Sequence, residues 1–398
     1  MLSDRAFGVA AVATALLFAA GCGDNSQKSL RENEAALVVN RGPNGRYANG
    51  LFTTVNVCAP GTSNCQAITG VLVDTGSFGL RILSSAITSS SLSSALTKET
   101  DGAGRSIAEC AQFADGITWG PVVRADVQIG GERASAIPIQ IIGEPSLSAP
   151  PSSCTDHGAP EDDLASLQTN GILGVGNFVQ DCPECGPGLA GNPGFYYGCS
   201  GSSCQVTTVR LSEQVANPVA SFAANNNGEI IELPQATSAT MSMSGTMVFG
   251  IGTESNNALG GAHVIKIDPS RGDFNTTFNN KSYPGFLDTG SNGYFFLGSS
   301  TTGLAACPVS AQGFYCPPSR VTLSATNRGA NNLSSTVSFS IDNALSLFSM
   351  SGDSVFPTLG GPFGGMFDWG LPFFYGRNVF VAIFGASTPG GAGPYWAY

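Results

Sequence analysis

Charge is scarce in this chain: Asp, Glu, Lys and Arg make up only 11% of its 398 residues, with 17 Lys+Arg against 28 Asp+Glu and a formal net charge of -11. A pI near 4.6 leaves no basic face to neutralise phosphates, which excludes a nucleic-acid partner. Histidine is scarcer still. His157 and His263 are the only two, and neither lies near a nucleophile motif of a Ser or Cys triad. Beyond the N-terminus no run reaches the about 18 apolar residues of a membrane-spanning helix. Long helical periodicities are missing too, and with Gly 52 and Pro 23 the composition reads as all-β, rich in turns. No metal-ligand cluster and no cofactor motif occurs; the Gly-rich stretch 170–176 lacks the Lys and Ser/Thr of a phosphate-binding loop.

What the chain does have is one tetrapeptide twice. Asp74-Thr75-Gly76-Ser77 follows the apolar Val71-Leu72-Val73, and Asp288-Thr289-Gly290-Ser291 follows Phe286-Leu287. An apolar run ending in Asp-Thr-Gly is a buried strand breaking into a tight turn, with Gly supplying backbone freedom and Asp at the strand's end. A single copy reads as a solvated loop. Two copies with the same apolar lead and the same hydroxyls point to an internal duplication that brings two carboxylates to one site.

These motifs resemble those of the pepsin-like aspartic proteases, in which two lobes each contribute one Asp-Thr-Gly loop to a dyad. The resemblance extends to an apolar-apolar-Gly segment in each lobe that completes the aspartate loop. Ile172-Leu173-Gly174 matches the first closely, and Asp368-Trp369-Gly370 is the candidate for the second, with Asp368 standing where an apolar residue is expected. It implies an all-β, bilobal, pseudo-symmetric architecture with a cleft between lobes at 47–258 and 259–398. Residues 47–73 resemble the N-terminal hairpin, and 245–250 a strand late in the first lobe. At the flap the sequence departs: Phe113 of Phe113-Ala114-Asp115-Gly116 stands where the family has Tyr. Seven residues after Asp74, Arg81 stands where its Trp partner belongs. Thr75 and Thr289 are implied to brace the two loops, and Ser77 and Ser291 to bond the outer carboxylate oxygens.

The chemistry follows from charge. Two close carboxylates cannot both ionise cheaply, so one keeps a proton while the other stays charged. Asp74 and Asp288 are therefore expected to activate a water held between them and to polarise an amide carbonyl, hydrolysing a polypeptide without a covalent intermediate. Which of the two holds the proton is open at this level. The alternative reading is a weakly active or inactive protein that binds a peptide or protein partner in its cleft, acting as a monomer in either case.

At the N-terminus, Arg5 precedes an apolar stretch over 6–20 and then Gly21-Cys22. This reads as a signal peptide over 1–21 with a lipoprotein cleavage site, Cys22 being lipidated at the head of a segment 22–46. Lipid anchoring to the outer membrane of a Gram-negative bacterium is the expectation, with that lipid the only membrane contact. Removing Cys22 from the 11 cysteines leaves ten, an even number suited to an oxidising compartment. Short spacings propose Cys58 with Cys65, Cys182 with Cys185, Cys199 with Cys204 and Cys307 with Cys316, leaving Cys110 with Cys154. Connectivity is not fixed by spacing alone, and a structural zinc on the four cysteines from Cys182 to Cys204 is the competing expectation. Segments 144–168 and 181–204 read as elaborated loops of the first lobe that shape the cleft or a docking surface.

Overall fold

The computed structural model describes residues 30–398; the leader expected over 1–21 and the lipidation expected at Cys22 lie outside them. Strands dominate, and the longest helix among the described residues, Ser90–Ala95, has 6 residues. The reason is visible in the pattern. In Ser334–Ile341, Val337, Phe339 and Ile341 are buried and alternate with more exposed residues, and Phe274–Phe278 buries every second side chain. A period of two suits a pleated surface with one face on the core.

One sixteen-stranded sheet runs through both halves of the chain. Glu34–Asn40 pairs with Gly50–Cys58 and with Met243–Phe249. Part of the segment 22–46 is thus a core strand, because Ala35, Leu37 and Val39 alternate and are buried. Gly228–Leu233 pairs with Arg377–Ala382, which pairs with Tyr395–Ala397, which in turn pairs with Val264–Lys266. Residues from both sides of 258 thus share hydrogen bonds. A seven-stranded sheet is made wholly from residues after 273.

Inside these sheets one arrangement occurs twice. Cys65–Asp74 runs parallel to Gly171–Val175, which is antiparallel to Phe78–Leu83, itself parallel to Glu132–Ile142. Correspondingly, Lys281–Leu287 runs parallel to Phe367–Trp369, which is antiparallel to Tyr294–Phe296, itself parallel to Gly360–Pro362. Val73 faces Leu173 in the first copy and Leu287 faces Trp369 in the second. The register therefore makes Asp368 the counterpart of Ile172. Val73, Leu173, Leu287 and Trp369 all belong to one buried cluster.

The four pairings read from short spacings, Cys58–Cys65, Cys182–Cys185, Cys199–Cys204 and Cys307–Cys316, and the remaining pair Cys110–Cys154 are all disulfides. The zinc alternative is overturned, since thiols joined in disulfides are not thiolate ligands.

Candidate active site

The two Asp-Thr-Gly-Ser turns meet. Thr75 N–H donates to Thr289 Oγ1 at 3.1 Å, and Thr289 N–H donates to Thr75 Oγ1 at 3.0 Å. Each hydroxyl then donates across the junction, Thr75 to the Leu287 carbonyl at 3.1 Å and Thr289 to the Val73 carbonyl at 2.7 Å. Both threonines are buried, so four polar groups are satisfied by one reciprocal unit, and losing either hydroxyl strands a backbone N–H.

Beside this brace lie Asp74 and Asp288. Gly76 N–H donates to Asp74 Oδ1 at 2.8 Å, and Gly290 N–H to Asp288 Oδ1 at 2.7 Å. The two glycines also set the separation. A Cβ on Gly76 would stand 2.7 Å from Asp288 Cγ, and one on Gly290 2.7 Å from Asp74 Oδ1, so only hydrogen at these positions lets each loop reach the opposite aspartate. The Asp74 and Asp288 carboxyls thus lie side by side at the floor of one cleft. Burial, then the charges of Asp74 and Asp368, push the Asp288 carboxyl well above the usual carboxylate range.

The two segments read as completing the loops lie beside the aspartate strands. Leu173 and Gly174 pair with Val73 and Asp74, and the Asp288 N–H donates to the Trp369 carbonyl at 3.1 Å. Gly370 lets that turn close, because a Cβ there would stand 2.1 Å from the Gly293 carbonyl oxygen.

The serines differ. Ser77 donates to Asp74 Oδ2. Ser291 departs from expectation: its hydroxyl donates to Asp368 Oδ2 at 2.6 Å. Asp368 is buried, and its Oδ1 has no partner. Burial pushes its carboxyl up to about 8, with Asp74 adding to the rise and the Ser291 bond opposing it.

Above the dyad opens a cleft of about 1020 Å³, lined from the first half by Tyr47, Phe113 and Asp115 and from the second by Phe295, Phe314 and Phe363. Phe113 and Asp115 occupy the tip of the hairpin formed by Ser106–Gln112 and Ile117–Ile129, closed by Phe113 N–H to the Gly116 carbonyl. Arg81 replaces the missing aromatic partner in its own way. Its guanidinium carbon lies 5.7 Å from the Phe113 ring centre, and the buried side chain pairs with Glu109 on the hairpin strand and with Asp181 at 2.8 Å. Tyr196 donates to Asp181 at 2.6 Å. Burial and the neighbouring Glu109 push Asp181 well above the usual range.

Three lining residues escaped the sequence reading as site residues. Tyr47 is pushed up by burial and by Asp115, Asp74, Asp288 and Glu161. Glu161, in the loop segment 144–168, is pushed up to about 7 by burial, Asp115 and Asp162. Asp368 had registered only as a misfit. Neither histidine lines the cleft, and no group of three or more His, Cys, Asp or Glu side chains placed to hold a metal ion occurs among the described residues.

No curated protein matches the sequence. A family model matches residues 29–398, nearly the whole chain, and its description is that of a protein of unknown function (DUF3443). The doubled aspartate turn, the hairpin over it and the five disulfides all fall within the matched span, and the chain belongs to this DUF3443 family.

Proposed function

We propose that the protein is an aspartic endopeptidase of pepsin-like, two-lobed architecture, exported and lipid-anchored through Cys22, that hydrolyses polypeptides between Asp74 and Asp288. The observation that carries this reading is the reciprocal Thr75–Thr289 bonding, which holds the two carboxyls side by side on the floor of an open cleft. With the proton on Asp288, Asp74 takes a proton from the bound water while Asp288 donates toward the amide carbonyl. The roles then exchange as the amine leaves. Since Asp288 is pushed up, it keeps its proton above the acid range of an ordinary carboxylate, and cleavage extends toward neutral pH. Five disulfides support an oxidising compartment.

A second reading, a cleft that binds a peptide without cutting it, is favoured by Phe113, which brings no hydroxyl to the hairpin tip, and by the cation beneath it. One experiment separates the two. Mature protein is incubated with an unfolded protein substrate from about pH 3 to 8 beside Asp74→Asn and Asp288→Asn. The peptidase reading expects fragments from the wild type and a loss of about 10³-fold in each variant, within the range of general acid-base catalysis. A folded wild type that binds the substrate and releases no fragments at any pH supports the binding reading instead.

A further inference from the structure

We infer that Asp368 is a specificity-determining residue that receives a cationic group of the bound polypeptide, a Lys or Arg side chain lying beside the dyad. The inference rests on the reading of the cleft as a polypeptide site. Phe367 and Trp369, on either side of Asp368, belong to the buried core, so the pleat turns Asp368 to the opposite face of its strand. Its cross-strand neighbours there are Phe286 and Phe295, and both Asp368 and Phe295 line the cleft. The side chain is buried, at 6% exposure. Ser291 donates to its Oδ2 at 2.6 Å, its Oδ1 has no partner, and no cationic side chain of the protein acts on it among the described residues.

The repeated arrangement shows what is missing. In the first copy the three positions that correspond to Phe286, Asp368 and Phe295 are Leu72, Ile172 and Arg81. Its charged member, Arg81, meets Glu109 and Asp181 inside the protein. Asp368 has one hydroxyl and no counter-charge, and a carboxyl buried on those terms is costly. Because the face it occupies opens on the cleft, a substrate cation supplies what the fold does not. Burial pushes this carboxyl up to about 8, and an ammonium or guanidinium beside it would draw that value down again. Ile172 also lines the cleft, so a chain lying across the two turns meets an apolar wall on one side of the dyad and a carboxyl on the other. The wider cleft favours a cation too: Asp115 and Glu161 line it, and the charges acting on Glu161 are the negative ones of Asp115 and Asp162.

The test uses a short uncharged peptide in which a single Lys is walked along the sequence, each member paired with one carrying the uncharged norleucine at that position. Wild type, Asp368→Asn and Asp368→Leu are compared for kcat/KM and, by fluorescence anisotropy, for affinity. An apolar side chain against Asp368 leaves the carboxyl unpaired, so wild type should favour Lys at one position by about 10–100-fold, the worth of a hydrogen bond to a charged group. Asp368→Asn keeps an acceptor for Ser291, and with it the fold, and should bring that ratio to about 1. Asp368→Leu makes the position resemble Ile172 and should favour norleucine. A residue that only held Ser291 in place would weaken both members of each pair alike and leave the ratio unchanged. That result overturns the inference, as does a wild-type ratio near 1 at every position. If Lys-selective binding is found, is lost in Asp368→Asn, and no fragment is released, the peptidase reading fails while the cation site stands.

Discussion

Replacing Arg81 by Met should damage the protein in a way that depends on pH. Arg81, Glu109 and Asp181 are 2%, 0% and 4% exposed, so water cannot take over the solvation of whichever partner is left. Removing the cation from a buried ionic cluster costs about 3–5 kcal/mol, a large share of the roughly 5–15 kcal/mol that holds a domain folded. Asp181 is already pushed far up in the intact cluster. Without Arg81, Glu109 must also take up a proton to stay buried. The folded state then binds more protons than the unfolded one above the ordinary carboxylate range, so stability declines as pH rises. Each pH unit over which one carboxyl is held neutral in this way adds about 1.4 kcal/mol. The urea midpoints of wild type and Arg81→Met should therefore lie closer at pH 5 than at pH 8, while the triple variant Arg81→Met/Glu109→Gln/Asp181→Asn recovers most of the loss. A cost below about 1 kcal/mol, or one equal at the two pH values, would refute the argument. In the peptidase reading the same substitution frees the hairpin tip, because both the Phe113 contact and the Glu109 tether go, and KM should rise more than kcat falls.

Two further outcomes follow from other parts of the molecule. Thr75→Val removes the acceptor of the Thr289 N–H and the donor to the Leu287 carbonyl, so urea unfolding should show a loss of about 1–3 kcal/mol, with Thr289→Val alike and the double variant less than additive. Replacing Cys110 and Cys154 by Ala opens a closure of 44 residues, and the loop-entropy relation puts the cost at about 4 kcal/mol, seen as a lower urea midpoint. The Cys182–Cys185 link, only 3 residues apart, should cost much less.

What the sequence disclosed was local. Apolar runs ending in Asp-Thr-Gly located both turns, and short cysteine spacings anticipated four of the disulfides. The strand Glu34–Asn40 was missed because its charged and amide flanks, Asn33, Glu34 and Asn40, resemble a linker; it is a strand because Met243–Phe249 pairs with it. Arg81 read as a defect at the flap. Its meaning lies in Glu109, 28 residues away, and Asp181, 100 away, separations that no local pattern encodes. Asp368 likewise looked like a poor match to an apolar position, since its partner Ser291 is 77 residues distant. Residues that break a local rule while serving a site are where sequence reasoning is expected to fail.

The shared sheet has a consequence for the order in which this molecule folds. Tyr395–Ala397 is hydrogen-bonded between Arg377–Ala382 and Val264–Lys266, and the brace between the aspartate turns joins residues 214 apart. Contacts this distant in sequence form slowly, so the pairing of the two turns comes late in folding. Until then each aspartate sits in its own turn without the other, and the docking of two remote segments is itself the event that creates the site.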